Sequence, residues 1–153
     1  MKSGKGKIGL ISSHGGHLTE ILSIKDACEG WDTFFVTYEG VAPSKLDNVY
    51  FIKNGWFRNP IHVLLIWFKV FSILLKERPK VLLSTGAEIA IPIFLVGKLF
   101  FGCKLVYLEC SAQVTTPSLT GRILYRITDL FMVQWKPLLN CYGSKALYRG
   151  GLI

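Results

Sequence analysis

The sequence predicts an α/β fold in which helices cover both faces of a parallel sheet. Short apolar runs alternate along the chain with longer segments of helical periodicity. The strand-like runs are almost continuously apolar, as is typical of strands buried on both faces. The 153 residues are enough for one domain with a real core and too few for two ordinary domains. We therefore expect a single domain over residues 1–153.

Each predicted element follows from a local pattern of apolar residues, turn residues and prolines. The predicted strands cover residues 7–12, 32–38, 48–52, 80–85, 104–109 and 129–134. The predicted helices cover residues 17–28, 60–77, 88–101, 118–128 and 138–142. Pro79 ends the second helix, because the residue before a proline resists helical geometry. Pro92 fits the first turn of the third helix, where a missing N–H costs least.

The chain is both basic and apolar. It has 18 Lys and Arg against 10 Asp and Glu, a net charge of +8, and half of its residues are hydrophobic. This composition indicates an anionic partner: a nucleic acid, a phosphorylated ligand or an anionic membrane surface. A basic surface without a specific partner is the alternative. Aromatic residues beside basic ones suit base stacking, but here they lie on an apolar helix, so we expect no nucleic-acid binding.

The cysteines and histidines predict neither a disulfide framework nor a metal site. The four cysteines are Cys28, Cys103, Cys110 and Cys141. They have no CxxC spacing and lie in or beside apolar segments, which predicts buried free thiols in a reducing cytoplasm. No Cys and His pair has the usual zinc-ligand spacing. His14 and His17 lack a third partner, so we expect no metal.

Segment 57–80 is too apolar for an ordinary surface helix, although the sequence predicts no helix that crosses a membrane. No uninterrupted apolar stretch reaches about 18 residues, and the first seven residues are polar, unlike a signal peptide. The segment is either a core helix or a helix that lies in a membrane interface. We favour the interface, because its charge is nearly all positive. The predicted membrane residues are Arg58, Trp67, Phe68, Lys69 and Lys76.

Polar loops follow three of the predicted strands, at the strand ends where parallel sheets bind ligands. The loop after the first strand is Ser13-His14-Gly15-Gly16-His17. Its glycines allow positive φ and close approach of a ligand, and the helix that follows presents free N–H groups and partial positive charge. His17 can exchange a proton near neutral pH. The loop suits a phosphate or a hydroxyl-rich ligand, with a plain glycine turn as the alternative.

The other two loops are STGAE, 84–88, and ECSAQ, 109–113. Ser84 or Thr85 can donate a hydrogen bond to a ligand, and Gly86 lets the ligand approach. Glu88 is either a ligand-facing acid or one half of a capping box with Thr85, and we favour the capping box. Glu109 is either a paired structural carboxylate or a cleft residue, and its place at a strand end favours the cleft.

Three runs of residues, 15–21, 84–92 and 104–139, resemble a known family. It is the asparagine-linked-glycosylation fourteen family, the acceptor-side subunit of the bipartite UDP-GlcNAc transferase of N-glycan assembly, with bacterial relatives in capsule and exopolysaccharide synthesis. The run SLTGRxLYxxxD…VQW within 104–139 is specific to the family. The GGH of 15–17 is shared with the wider GT-B glycosyltransferases.

The resemblance implies a Rossmann-like fold, the N-terminal half of a GT-B glycosyltransferase whose donor-binding half is a separate chain. It implies transfer of a sugar from a UDP-sugar to a polyprenyl-diphosphate-linked acceptor, without a cofactor, at the cytoplasmic face of the membrane. The donor sugar stays open between GlcNAc, galactose and glucuronic acid. Eukaryotic members begin with a membrane anchor whereas this chain begins with a short basic leader, which points to a peripheral, capsule-type member. A non-catalytic membrane adaptor that activates a partner is the alternative function.

The resemblance also assigns roles to residues. His17 is expected to activate or position the acceptor hydroxyl, and Glu109 is the rival base. Residues of the first two loops are expected to bind the acceptor and its diphosphate: Ser13, His14, Gly15, Gly16, Ser84, Thr85, Gly86 and Glu88. The C-terminal segment 144–153, with little structure of its own, is expected at the partner interface.

Overall fold

The computed structural model describes residues 6–40, 46–54 and 59–152, and these contain one parallel sheet of seven strands. The strands are β1 (Lys7–Ile11), β2 (Asp32–Tyr38), β3 (Val49–Ile52), β4 (Val81–Ser84), β5 (Lys104–Leu108), β6 (Leu130–Val133) and β7 (Ala146–Tyr148). Their order across the sheet is β3-β2-β1-β4-β5-β6-β7. Every neighbouring pair is parallel, which confirms the predicted fold class.

Helices pack on both faces of this sheet. They are α1 (Gly16–Ser23), α2 (Pro60–Glu77), α3 (Ala90–Phe101), α4 (Leu119–Leu124) and α5 (Pro137–Tyr142). Leu18 and Ile21 of α1 pack with Phe35 in the smaller apolar cluster. The larger cluster holds the buried residues of α2 and α3, such as Val70 and Phe94. Burial of these side chains is the main force that holds the layers together.

Local signals fix both ends of α2, as the sequence predicts. The Asn59 side chain caps the helix by accepting from the Ile61 N–H at 2.9 Å, and Pro60 occupies the first turn. Arg78 leaves the helix in the left-handed conformation at φ 46°, directly before Pro79. The helix therefore has the predicted bounds, residues 60–77.

The strand order reverses between β1 and β4, which creates a crevice at their carboxyl ends. The chain runs from β1 outward to β2 and β3, then returns to add β4 on the other side of β1. Ile11 of β1 lies opposite Ser84 of β4, so both strands end at the same level. Open α/β sheets bind ligands at such a switch point. The loops that begin at Ser12 and Thr85 flank this point.

Three elements differ from the sequence prediction. The first helix ends at Ser23 and continues as a 3₁₀ turn, Lys25–Cys28. The helix predicted over 118–128 ends at Leu124. The Asp129 N–H, which would bond the Tyr125 carbonyl in a longer helix, donates to the Leu105 carbonyl of β5 at 2.9 Å, and Lys145 Nζ donates to the Tyr125 carbonyl instead at 2.7 Å. The expectation of little structure in 144–153 is wrong, since β7 extends the sheet beside β6.

The cysteines are all free, but they are not all buried. Cys28 and Cys103 are buried, Cys110 is half-buried, and Cys141 is exposed. The prediction of buried thiols is therefore wrong for Cys141. The polar Asn140 directly before Cys141 is a local signal of exposure that the sequence prediction did not weigh.

Candidate functional site

The three polar loops predicted to form a site meet at the switch point. Thr85 Oγ1 donates to the His17 carbonyl at 2.8 Å, and His17 Nδ1 donates to the Thr85 carbonyl at 3.0 Å. Nδ1 must be the donor, since a carbonyl can only accept. The Ser111 N–H of the third loop donates to Glu20 Oε1 at 2.7 Å. Loops after β1, β4 and β5 thus form one connected structure around the start of α1.

The glycine loop leaves open space at the N-terminus of α1. Gly15 has φ 75°, which favours glycine, and a Cβ at Gly15 or Gly16 would meet nothing within 4 Å. Gly15 is the N-cap residue of α1, and no side chain caps the helix. The first N–H groups of a helix carry partial positive charge. The predicted ligand-facing character of Gly15 and Gly16 is therefore compatible with the structure.

Ser13 and His14 lie beside this loop and are half-buried. The Ser13 hydroxyl is 3.5 Å from the His14 carbonyl. His14 Nε2 is 3.3 Å from the Glu39 carbonyl, and its ring covers the face of Gly40, where a Cβ would lie 2.6 Å from Nε2. His14 therefore anchors the glycine loop to the end of β2.

The His17 ring is held between two acidic groups. Its Nδ1 lies 3.8 Å from Glu20 Oε2, one helical turn further on. The neighbouring Cys110 side chain and then the Glu20 carboxylate raise the pKa of His17 to about 10, against the opposing effect of burial. The imidazole therefore carries a proton near neutral pH. A protonated imidazole donates hydrogen bonds and offers positive charge. The expected role of His17, to activate or position the acceptor hydroxyl, stays a prediction.

The second loop folds against α1 and does not face a ligand with its side chains. Ser84 is fully buried, and its hydroxyl bonds within the turn to the Gly86 carbonyl at 2.9 Å. Thr85 is also fully buried. A Cβ on Gly86 would lie 2.5 Å from His17 Cε1, so the missing side chain makes room for the imidazole. The Ser84 and Thr85 side chains are therefore used inside the protein, so a ligand here would meet the main chain of the loop. The predicted contact of Ser84, Thr85 and Gly86 with the acceptor stays a prediction.

The capping box predicted for Thr85 and Glu88 is wrong. Helix α3 begins at Ala90, its N-cap residue is Ile89, and no side chain caps it. The Thr85 hydroxyl is used instead by the His17 carbonyl. Glu88 is half-buried in the turn that precedes the helix. Its predicted contact with the acceptor stays a prediction.

Glu109 is fully buried and does not line the cleft. Its carboxylate accepts from the Ser118 hydroxyl at 3.0 Å, from the Ser118 N–H at 3.2 Å and from the Cys110 N–H at 3.1 Å. The Tyr142 hydroxyl also donates to it. A carboxylate enclosed by this many donors is a paired structural group. The expectation of a cleft residue is wrong, and no open face is left for Glu109 to act as the rival base.

The run that carries the family resemblance builds this buried network. Ser118 caps α4 by accepting from the Gly121 N–H at 2.8 Å. A Cβ on Gly121 would overlap Glu109 Oε2 and Tyr142 Oη. Gly121 is therefore required by close packing, and the SLTG motif holds the loop that follows β5.

Sequence reasoning missed Glu20 and Gln134. Gln134 Nε2 donates to Glu20 Oε1 and to the Glu109 carbonyl, both at 3.1 Å, and its Oε1 accepts from the Leu152 N–H at 2.9 Å. Its position at the end of β6 is the signal that could have found it, since the same rule selected the other loops. Trp135, next in the chain, donates from Nε1 to the Ser111 carbonyl at 2.7 Å.

Helix α2 also carries a second apolar face, which is exposed. Within this surface, Leu64 and Phe68 are 58% and 67% exposed, and Phe100 of α3 is 65% exposed. A shallow apolar groove of about 300 Å³ is lined by Leu64, Trp67, Phe68, Phe71, Val96 and Phe100. We call the exposed surface that these six side chains form around the groove the apolar ridge. Exposed apolar patches of this kind mark interaction surfaces.

Two of the predicted membrane residues, Trp67 and Phe68, belong to the apolar ridge. Trp67 is half-buried against the core, whereas Lys69 is exposed. Lys76 Nζ lies 5.2 Å above the Tyr50 ring. Arg58 lies outside the described residues. Among the residues that the structure describes, no helix is both long and apolar enough to cross a membrane.

The fold of this chain is that of a Rossmann-like domain, of the kind that forms one half of GT-B proteins. MurG from Acinetobacter baumannii matches 95% of this chain with a TM-score of 0.75, at 16% identity and over 46% of its own chain. UDP-N-acetylglucosamine 2-epimerase from Rickettsia bellii matches 96% of this chain with a TM-score of 0.71, at 12% identity and over 45% of its own chain. The TM-scores establish a common fold, and at such low identity the likeness shows the fold alone.

A family model, "Oligosaccharide biosynthesis protein Alg14 like", matches residues 45–152, and the chain belongs to this family. The rat UDP-N-acetylglucosamine transferase subunit ALG14 is 32% identical over 108 residues, 67% of this chain and 49% of its own length. The Schizosaccharomyces pombe subunit is 32% identical over 118 residues, 69% of this chain and 53% of its own length. The chain thus spans about half the length of the curated relatives that it matches.

Proposed function

We propose that this chain is the acceptor-side subunit of a two-chain glycosyltransferase. The enzyme would transfer a sugar from a UDP-sugar to a polyprenyl-diphosphate-linked acceptor. The observation that carries the proposal is the hydrogen bonding between His17 and Thr85 at the switch point, beside an open glycine loop. The membership of the chain in the Alg14-like family supports it further. GlcNAc is the donor sugar that we favour, because the relatives are named UDP-N-acetylglucosamine transferase subunits.

The geometry supports one task for the N–H groups at the start of α1 and another for the His17 imidazole. The N–H groups at the start of α1, beside Gly15 and Gly16, suit a diphosphate. The protonated His17 adds a positive charge at the same edge. We propose that His17 orients the acceptor and compensates developing negative charge during transfer, a form of electrostatic stabilisation. The donor-binding partner would supply the contacts to uracil and ribose.

Membrane recruitment of the partner is the second task of this subunit in our proposal. The apolar ridge would enter the interfacial region at the cytoplasmic face, with the chain bound peripherally. Lys69 and Lys76 are seven residues apart and therefore lie on one flank of α2. Their charge suits anionic headgroups.

Reconstitution of the two chains tests the proposal. This chain is expressed with the product of the neighbouring open reading frame, and transfer from UDP-GlcNAc to membrane lipid is measured for each chain alone and for both together. We expect transfer only with both chains. Transfer by the partner alone, at the rate of the pair, would instead make this chain an adaptor. Transfer by this chain alone would contradict the two-chain account.

A further inference from the structure

Three groups that bind metals well converge beside the glycine loop. A ring nitrogen of His17, a carboxylate oxygen of Glu20 and Cys110 Sγ all lie within 4.8 Å of one another. His17 and Glu20 belong to the first turns of α1, whereas Cys110 follows β5, at least 90 residues further along the chain. The sequence argument against a metal at His17 rested on the lack of a third partner. The fold supplies two.

The Glu20 carboxylate has one oxygen that no donor satisfies among the described residues. Glu20 is only 3% exposed. Its Oε1 accepts from the Ser111 N–H at 2.7 Å and from Gln134 Nε2 at 3.1 Å. Its Oε2 is buried, makes no hydrogen bond and points toward His17 at 3.8 Å. A buried carboxylate oxygen is costly without a cation or donor close to it. The protonated His17 offers that charge across 3.8 Å, too far for a hydrogen bond, and a metal ion held between the two groups would offer it at a shorter distance.

The surroundings of these groups match those of metal ligands. A ligating histidine usually donates its other ring N–H to a backbone carbonyl, as His17 Nδ1 does to Thr85. Because Nδ1 is also the ring nitrogen nearest Glu20, ligation through Nε2 requires the Glu20 carboxylate to turn toward that nitrogen. Ligating carboxylates are themselves hydrogen-bonded, as Glu20 Oε1 is. His17 and Cys110 are half-buried, so an ion can reach them. Their side chains can also rotate to the shorter distances, about 2.0–2.3 Å from the ion, that bound zinc requires.

We propose that His17, Glu20 and Cys110 bind a divalent transition metal of the zinc class, with one coordination position left open. Thiolate and imidazole ligands select Zn²⁺ or Co²⁺ over Mg²⁺ or Ca²⁺. Three protein ligands of N, O and S type with an open fourth position are typical of a zinc site that exchanges a water or a substrate group. Binding releases the thiol proton of Cys110 and any proton on the ligating nitrogen.

Metal binding would withdraw the His17 ring from the acceptor. Zinc would therefore inhibit sugar transfer, a consequence that rests on the proposed function. The metal site itself is independent of that function, so it is measured first by a method that needs no turnover.

Cobalt spectroscopy of the purified chain tests the site. Co²⁺ is titrated under reducing, anaerobic conditions, and we expect a thiolate-to-cobalt charge-transfer band that saturates at about one equivalent, as one site requires. Zn²⁺ should remove the band and Mg²⁺ should not. Cys110→Ser should abolish the band, whereas Cys141→Ser, at an exposed thiol outside the cluster, should keep it. Glu20→Gln should weaken binding at least tenfold, the scale on which such ligands act.

Circular dichroism shows whether each variant is folded. Cys110→Ser is the deciding variant, because it replaces only the sulfur atom of the side chain by oxygen. A band that survives in Cys110→Ser, or no band in the wild-type chain, would overturn the site. In the two-chain assay, zinc should inhibit sugar transfer by the wild-type complex, and a chelator should restore the transfer rate. If cobalt binds as predicted but zinc leaves transfer unchanged, the site stands and its effect on the reaction is refuted.

Discussion

His17 and Thr85 hold each other through two hydrogen bonds across the switch point. The Thr85 hydroxyl donates to the His17 carbonyl at 2.8 Å, and His17 Nδ1 donates to the Thr85 carbonyl at 3.0 Å. The pair joins the loop after β1 to the loop after β4 and fixes Nδ1 as the ring nitrogen that faces the Thr85 carbonyl. The orientation of the imidazole therefore depends on a residue 68 positions away.

Replacement of Thr85 by valine should disturb both stability and activity. Thr85→Val keeps the shape of the buried side chain but leaves the His17 carbonyl without its donor. We expect a loss of about 1–3 kcal/mol in the free energy of unfolding, measured with urea, and slower transfer. Thr85→Ser keeps the hydroxyl and should stay closer to the wild type in both measurements. A valine variant as stable and active as the serine variant would contradict this prediction.

Gly121 should be intolerant of a side chain. Gly121→Ala places a methyl group against Glu109 and Tyr142 inside the buried network, and overpacking of this kind costs about 3 kcal/mol. Gly102→Ala is the matched control, because its added Cβ would meet nothing within 4 Å and only its φ of 62° is strained. That strain costs about 1–2 kcal/mol. Urea unfolding of both variants should rank Gly121→Ala as the more destabilised, and the reverse order would refute the packing argument.

The buried carboxylate of Glu77 should make stability depend on pH. It accepts from Lys7 Nζ at 2.8 Å and from the Tyr50 hydroxyl at 2.5 Å. Burial raises the pKa of Glu77, but these hydrogen bonds outweigh burial and lower the pKa below its ordinary value of 4.5. The folded state therefore binds this proton more weakly than the unfolded state. The resulting stability is present above the unfolded pKa and is lost as the pH falls through the folded pKa.

Glu77→Gln should reveal this contribution. We expect the variant to be about 1–3 kcal/mol less stable than the wild type near neutral pH. The difference should shrink in acid, where the wild-type carboxyl also becomes neutral. Glu29→Gln, at an exposed carboxyl, is the control and should show little difference at either pH. A Glu77→Gln deficit that stays constant from neutral pH into acid would mean that the charge of Glu77 contributes nothing.

The apolar ridge should carry membrane binding. Removal of two large exposed side chains, Leu64→Ser with Phe68→Ser, should weaken binding of the full chain to anionic vesicles by at least about tenfold, because each side chain buries apolar area in the interface. Flotation with vesicles measures the bound fraction. Leu147→Ser, at a 38% exposed residue of β7, is the control. Equal loss in the control and the double variant would show that the ridge is not the docking face.

The sequence predicts the sheet and the meeting of its loops well, since apolar periodicity and strand ends are local signals. It predicts side-chain direction less well. Glu109 shares its face of β5 with Leu105 and Tyr107, both in the larger apolar cluster, so the alternation of a strand already sends its carboxylate inward. The sequence interpretation weighed only its position at the strand end.

Long-range partners explain the remaining differences. The Thr85 hydroxyl had a local partner in the predicted capping box, but the His17 carbonyl competes for it from another element. Tyr125 had helical periodicity, but Lys145 takes its carbonyl. Neither competitor is a neighbour in sequence, and hydrogen bonds between distant residues leave no periodic pattern to detect.

The most direct test of the account is the transfer rate of the two-chain complex with and without the His17 imidazole. His17→Ala and the control His62→Ala, at an exposed histidine of α2, are each purified with the partner, and single-turnover transfer from UDP-GlcNAc to a polyprenyl-diphosphate acceptor is measured. We predict intact complexes in both cases and a rate at least about 100-fold lower for His17→Ala alone. A His17→Ala complex that transfers sugar within a few-fold of the wild type would contradict the catalytic role of this site.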